Sequence, residues 1–246
     1  MSLPVHLVPT LAGASVGSTV EVTGGEAHHA VAVRRLRVGE SVVLTDGLGT
    51  SVTGEVSSTG KRVFAVTVVS RDAVPAPDPA VVVVQALPKG DRGELAVEVL
   101  TEIGVAEVVP WAASRSVAVW KGERAAKSLA KWRSTAREAA KQSRRSWFPT
   151  VAELASTADV VDLVATADLT VVLHEDASSP LSSVTVPDAG RVVVVVGPEG
   201  GLTEDEVAAF VAAGAVSVRL GAEVLRTSTA GVAAVAAVLA RTSRWG

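Results

Sequence analysis

The chain has 246 residues, 48% of them hydrophobic, enough for two modest domains with substantial cores. It contains no cysteine, which excludes disulfides, thiolate zinc sites and cysteine nucleophiles. A net charge of -3 argues at first against a polyanionic partner, yet residues 111–150 hold ten Lys or Arg against Glu123 and Glu138, a local +8 that leaves -11 elsewhere.

Residues 1–10 lack a basic start and a long apolar run, so no secretory signal is expected, and the apolar run 232–240 is too short for a bilayer. A soluble cytoplasmic protein with no membrane association follows as the expectation. Residues 1–73 alternate apolar and polar positions in short runs, at 18–22, 41–45, 50–57 and 62–70, with glycines and Asp46-Gly47 between them. That pattern predicts a small β-barrel. One helix interrupts it, starting at Gly25-Glu26 and running over 28–36. His28 and His29 fall on different sides of that helix, so no metal site is expected. Residues 74–79, VPAPDP, read as a linker, and a second domain covers 80–246.

In the second domain a valine-rich strand over 81–87, an amphipathic helix over 93–103 closed by Gly104, and a strand over 107–110 imply a parallel sheet with a right-handed crossover. Four of the five tryptophans, Trp111, Trp120, Trp132 and Trp147, lie in the basic segment, much of which is a predicted helix over 123–144. Cations pair with phosphates and indoles can stack on unpaired bases, so the charges point to RNA, whereas the tryptophans are expected in the core. A strand over 169–173 carries His174-Glu175 at its C-terminal end, where open α/β sheets place ligands.

The chain is organised around VVVVVGPEGGL, residues 192–202, and LGAEVLRTSTAG, residues 220–231. Five successive valines predict a strand buried on both faces. Gly197, Gly200 and Gly201 make the loop, and Thr203 with Glu206 forms a capping box for the next helix. The loop matches neither a dinucleotide fingerprint nor a phosphate loop. Glu199, Glu204, Asp205 and Glu206 would repel a phosphate, so a ligand of cationic character suits it better. The second segment predicts a short strand over 216–220, a turn at Gly221 and a helix over 229–241.

GPEGGLTEDE followed by LGAEVLRTSTA resembles the cofactor-binding half of the SPOUT methyltransferases, and most closely the ribosomal RNA small subunit methyltransferase E family. HHAVAVRRLRVGESVVLTDG resembles that family's PUA-like domain, with an H-x5-R-x3-G pattern on His29, Arg35 and Gly39 and a departure at Arg34, where leucine is usual. LPKGDRGELAVEVLTEIGVAEVVPWAASRSV is similar to its first crossover, with Val99 where lysine is usual, and EAAKQSRRSWFP to its EAxEQSxR motif.

The resemblance implies an α/β trefoil-knot domain after a PUA-like barrel, with S-adenosylmethionine as cofactor. It places that cofactor among Leu173, His174, Gly197, Glu199, Gly200, Gly201, Leu220, Gly221, Val224, Leu225, Arg226, Thr227 and Ala230. The implied reaction is methylation of N3 of a uridine in 16S rRNA of the small ribosomal subunit. No cysteine adduct is needed at a ring nitrogen. Glu199 is the candidate acceptor of the N3 proton, and Arg226 the candidate stabiliser of charge on the uracil oxygens. Arg34, Arg35, Lys89, Arg115, Lys131, Arg137, Lys141 and Arg145 are the candidate RNA contacts. The small apolar residues from Ala230 to Ala240 predict a homodimer built partly on the last helix. Two rivals remain, a non-catalytic RNA-binding assembly factor and a methyltransferase acting on another RNA nucleotide. An oxidoreductase fails for want of a phosphate fingerprint.

Overall fold

The computed structural model describes residues 3–246. The chain divides into two units, one running to Ala76 and including Lys141–Phe148, the other comprising Pro77–Ala140 and Pro149–Gly246.

The first unit holds β1 (Val5–Leu7), β2 (Thr19–Thr23), β3 (Ser41–Thr45), β4 (Thr50–Thr59) and β5 (Val63–Ala73), in the order β1-β3-β4-β5-β2. Every pairing is antiparallel except β1 with β3. The alternation that predicts these strands is the one that buries Val42, Leu44, Val52, Val56, Phe64 and Val66 on the inner face. The helix between β2 and β3 is shorter than predicted. It begins as α1 (Gly24–His28) and loosens into a π-turn over His29–Val33, where the Arg34 amide donates to the His29 carbonyl at 3.0 Å. Arg35 then adopts a left-handed φ of 57°, which no helix can continue.

The second unit is a six-stranded, wholly parallel sheet. Its strands are β6 (Ala80–Ala86), β7 (Glu107–Trp111), β8 (Thr150–Val151), β9 (Leu169–Leu173), β10 (Arg191–Val196) and β11 (Val216–Val218), in the order β11-β9-β10-β6-β7-β8. The central strands explain the valine runs, because each face needs its own cover. Val81, Val83, Val192, Val194 and Val196 pack in one layer with α2 (Arg92–Ile103), α3 (Glu123–Gln142) and α6 (Thr227–Leu239). Val82, Val84, Val193 and Val195 pack in the other with α4 (Thr157–Ala165) and α5 (Glu204–Ala212). Each buried valine contributes about 1.5–3 kcal/mol of apolar burial. Gly104 closes α2 with a left-handed φ of 104°, as its sequence position predicts.

The last helix follows an edge strand yet packs over the centre of the sheet. After β11 the chain turns back, the Gln85 side chain in β6 donates to the Thr227 carbonyl at 3.3 Å, and α6 lies against β6, β10 and α2. Arg241 then donates to the carbonyls of Leu181 and Val184, in the connection between β9 and β10. The same connection pairs with the segment after β11, where the Leu181 amide donates to the Arg219 carbonyl at 2.9 Å. Both ends of the segment from Arg219 to Arg241 are thus bonded to that one connection, in the region where the family resemblance implies the knot. Among the described residues no helix is long and apolar enough to cross a membrane.

Candidate active site

In a parallel sheet all C-terminal strand ends share one edge, and the loops that leave it build the site. Leu173 at the end of β9 is in register with Val196 of β10 and Val218 of β11, and Gln85 of β6 with the same Val196. His174 and Gly197 are therefore the first residues beyond neighbouring strands. The His174 amide donates to the Val218 carbonyl at 2.9 Å, which ties its loop to β11.

The loop 197–203 has three glycines with three different reasons. Gly201 has a φ of +72° and closes a turn on the Pro198 carbonyl at 3.0 Å. Gly200 lacks positive φ but lies against another segment, where a Cβ would sit 3.0 Å from the Cβ and carbonyl oxygen of Arg115. At Gly197 a Cβ would meet Leu202 at 3.1 Å. The capping box is present, with Glu206 donating its amide to Thr203 Oγ1 at 3.2 Å and accepting the Thr203 amide at 2.9 Å. Glu206 is 3% exposed, and its other oxygen accepts the Ser114 amide at 2.8 Å. Burial pushes its carboxyl up, but the bonds from Ser114 and Thr203 outweigh this and hold it below the usual carboxylate range.

Glu199 is exposed, and its Oε1 accepts the Lys89 amide at 3.1 Å. Together with Lys89, Gly90, Asp91, Arg92 and Leu95 it lines a shallow cleft of about 610 Å³. Arg92 and Leu95 give no site signal in the sequence, because on their own they look like the outer face of α2. Leu95 is nonetheless 45% exposed at the cleft.

The second predicted segment is open. Residues 221–226 are all exposed, with Val224 at 76% and Leu225 at 41%, while Leu220 is half-buried. Arg226 occupies the N-cap of α6 with extended backbone, and its carbonyl accepts the Thr229 and Ala230 amides at 2.9 Å. Thr227 is buried behind it. Uncovered aliphatic side chains at Val224 and Leu225 and an acidic first turn on α5 fit a nucleoside bearing a cationic sulfonium. They do not fit a phosphate.

The predicted RNA contacts separate by environment. Arg34 and Arg35 are exposed in the barrel, and Lys89 is exposed at the cleft. Arg115 turns toward the glycine loop, its Nη1 donating to the carbonyls of Gly200 at 3.4 Å and Leu202 at 3.2 Å. Lys131 pairs with Glu94 at 3.1 Å, and Arg137 with Glu138 at 3.3 Å. Lys141, in the barrel unit, is 10% exposed and pairs with Glu26 at 2.8 Å, which His6 also approaches at 3.2 Å. Arg145 is half-buried. Lys121, Arg124 and Lys127 are exposed and make no ion pair among the described residues. The tryptophans are structural. Trp111 packs edge-on to Phe210 with ring centroids 5.4 Å apart, and Trp132 edge-on to Trp120 at 5.1 Å.

Residues 75–239 match the RNA methyltransferase domain family, and residues 22–69 the RNA methyltransferase PUA domain. The sequence is 46% identical over 233 residues to ribosomal RNA small subunit methyltransferase E of Mycobacterium bovis, covering 93% of this chain and 89% of that protein. The chain belongs to the ribosomal RNA small subunit methyltransferase E family. The Bacillus subtilis member is 32% identical over 228 residues, with 89% of each chain covered. The Neisseria gonorrhoeae member, solved with S-adenosyl methionine bound, is 28% identical and superposes with a TM-score of 0.85 over 97% of both chains. A PUA-like domain and a SPOUT-type α/β domain with a parallel sheet are both present here.

Proposed function

We propose that this protein methylates N3 of a uridine in the 16S rRNA of the small ribosomal subunit, using S-adenosylmethionine. The observation that carries the reading is the convergence, at one sheet edge, of a glycine loop unsuited to phosphate and an open apolar loop at 220–226. S-adenosylmethionine bound there supplies an electrophilic methyl group on a sulfonium. Glycine and leucine backbone from Gly197, Gly200, Leu220 and Leu225 would hold the adenosine and methionine portions, and the loops would align nucleophile and methyl. Glu199, its carboxylate steadied by the Lys89 amide, accepts the proton that uracil N3 must lose. Arg226 balances the charge that develops on the uracil oxygens.

RNA is held by Arg34 and Arg35 of the barrel and by Lys121, Arg124 and Lys127 around the start of α3. Cations at a helix N-terminus oppose the macrodipole, so this cluster costs the fold stability and is better matched by phosphate. The protein acts in the cytoplasm as a homodimer. The exposed stripe Thr229, Ala233 and Ala237 on α6, with Ala240 at its C-cap, is its contact surface, while Val235 is fully buried in the core and takes no part. A non-catalytic assembly factor would have no use for an intact glycine loop.

Mass spectrometry of rRNA nucleosides tests the assignment. A strain lacking this gene should lose N3-methyluridine from 16S rRNA and regain it with the wild-type copy. Retention of the nucleoside in the deletion strain overturns the proposal.

A further inference from the structure

We infer that Arg115 and Glu206 are positioning residues for the cofactor loop, clasping residues 199–203 to the connection that follows β7. This rests on the methyltransferase reading above and reassigns Arg115 from RNA contact to cofactor affinity.

The clasp uses two adjacent residues, both as hydrogen-bond donors. Ser114 presents its amide to the buried Glu206 carboxylate at 2.8 Å, so the start of α5 is anchored through an acid. Arg115 presents its guanidinium to the carbonyls of Gly200 and Leu202, so the loop before α5 is anchored through a cation. Between them Gly200 rests directly on the Arg115 backbone, with no room for a Cβ. Glu206 also accepts the Thr203 amide, which leaves no acceptor of that carboxylate without a donor from the loop or the connection.

The consequence falls on the residue next in line. Glu199 adjoins Gly200, and its carboxylate is held on the other side by the Lys89 amide in the loop after β6. The loop is thus pinned toward β6 through Glu199 and toward the β7 connection through Gly200 and Leu202. Movement at either pin shifts the backbone that must meet the cofactor. Both bonds leave one guanidinium nitrogen, Nη1, and a lysine cannot reproduce them because its side chain ends one bond short of that position.

The test uses the full-length protein and two titrations, one with S-adenosylmethionine by calorimetry and one with a 16S rRNA fragment. Arg115→Lys and Glu206→Gln should each weaken cofactor binding by about tenfold, as loss of supporting contacts around a site does, with RNA affinity within about twofold of wild type. Gly200→Ala, which leaves all charges in place, should do the same. Thermal melts identify any variant that fails to fold, and Arg115→Lys, altering an exposed residue, carries the test if Glu206→Gln does. Unchanged cofactor affinity in Arg115→Lys overturns the inference, as does a loss confined to RNA binding. A wild type that binds no S-adenosylmethionine overturns the methyltransferase reading itself.

Discussion

Two enclosed carboxylates are satisfied in different ways in the two units. In the barrel, Glu26 is 19% exposed and sits between the Lys141 ammonium and His6, so side chain meets side chain. In the parallel-sheet unit, Glu206 is more enclosed, at 3% exposed, and is satisfied by the amides of Ser114 and Thr203. A carboxylate matched by a cation removes that cation from other work; one matched by amides fixes a backbone and leaves neighbouring cations available. Lys141, one of the basic residues the sequence points to for RNA, is matched to Glu26 in this way. The cations around the start of α3, where Glu123 is the only acid in the first turn, are left facing solvent.

The largest effect should come from breaking the barrel pair. Lys141→Glu places two carboxylates together in a nearly closed site and should cost about 3–5 kcal/mol of stability, read as a lower urea midpoint. Lys131→Glu, at a residue whose side chain is 61% exposed, should cost under about 1 kcal/mol.

Acid should act on the same pair. Burial alone would raise Glu26, but hydrogen bonds from His6 and Lys141 outweigh it and bring its carboxyl from 4.5 to about 2. A folded pKa below the unfolded one means that the stabilisation is complete above about pH 4.5 and is lost as pH falls toward 2. The loss should be about 2 kcal/mol, allowing for partial exposure. Glu206 contributes in the same direction. Denaturation midpoints measured from pH 6 to pH 2 should flatten in Glu26→Gln; an unchanged slope would mean the pair is too loose to shift the group.

RNA binding sharpens the comparison from the other side. Reversing Arg124 and Lys127 to glutamate should weaken binding of a 16S rRNA fragment and reduce its salt slope by about one to two, because fewer counterions are released. Reversing Lys131 and Arg137, already paired with Glu94 and Glu138, should do less. The smallest change concerns assembly. Ala237→Glu, on the exposed stripe of α6, should leave the fold intact and shift the dimer toward monomer in light scattering. A monomeric wild type would remove the dimer.

What the sequence made legible follows from the range of the interactions. The valine strands, the Gly104 stop and the Thr203-Glu206 box are local patterns, and all three appear where expected. The π-turn at His29–Val33 is not a local pattern of residue types, and the sequence there predicts helix to residue 36. Strand β1, three residues long and paired in parallel with a distant partner, gives too little alternation to detect. The helix α4 carries the same kind of local signal, its own capping box at Ser156 and Asp159. In the site, the glycines were visible and their separate reasons were not, since Gly200 owes its identity to Arg115, far away in sequence. The second role of Glu206 depends on Ser114, 92 residues earlier, and the burial of Lys141 on Glu26, 115 residues earlier. No spacing rule connects such pairs.

Calorimetry with four ligands tests most directly whether the sheet edge is built for a sulfonium nucleoside rather than a phosphate. S-adenosylmethionine and its demethylated product should each bind one site per chain, while ATP and NAD should give no heat, repelled by Glu199 and the acidic first turn of α5. Binding of ATP or NAD, with none of S-adenosylmethionine or its product, would contradict the account.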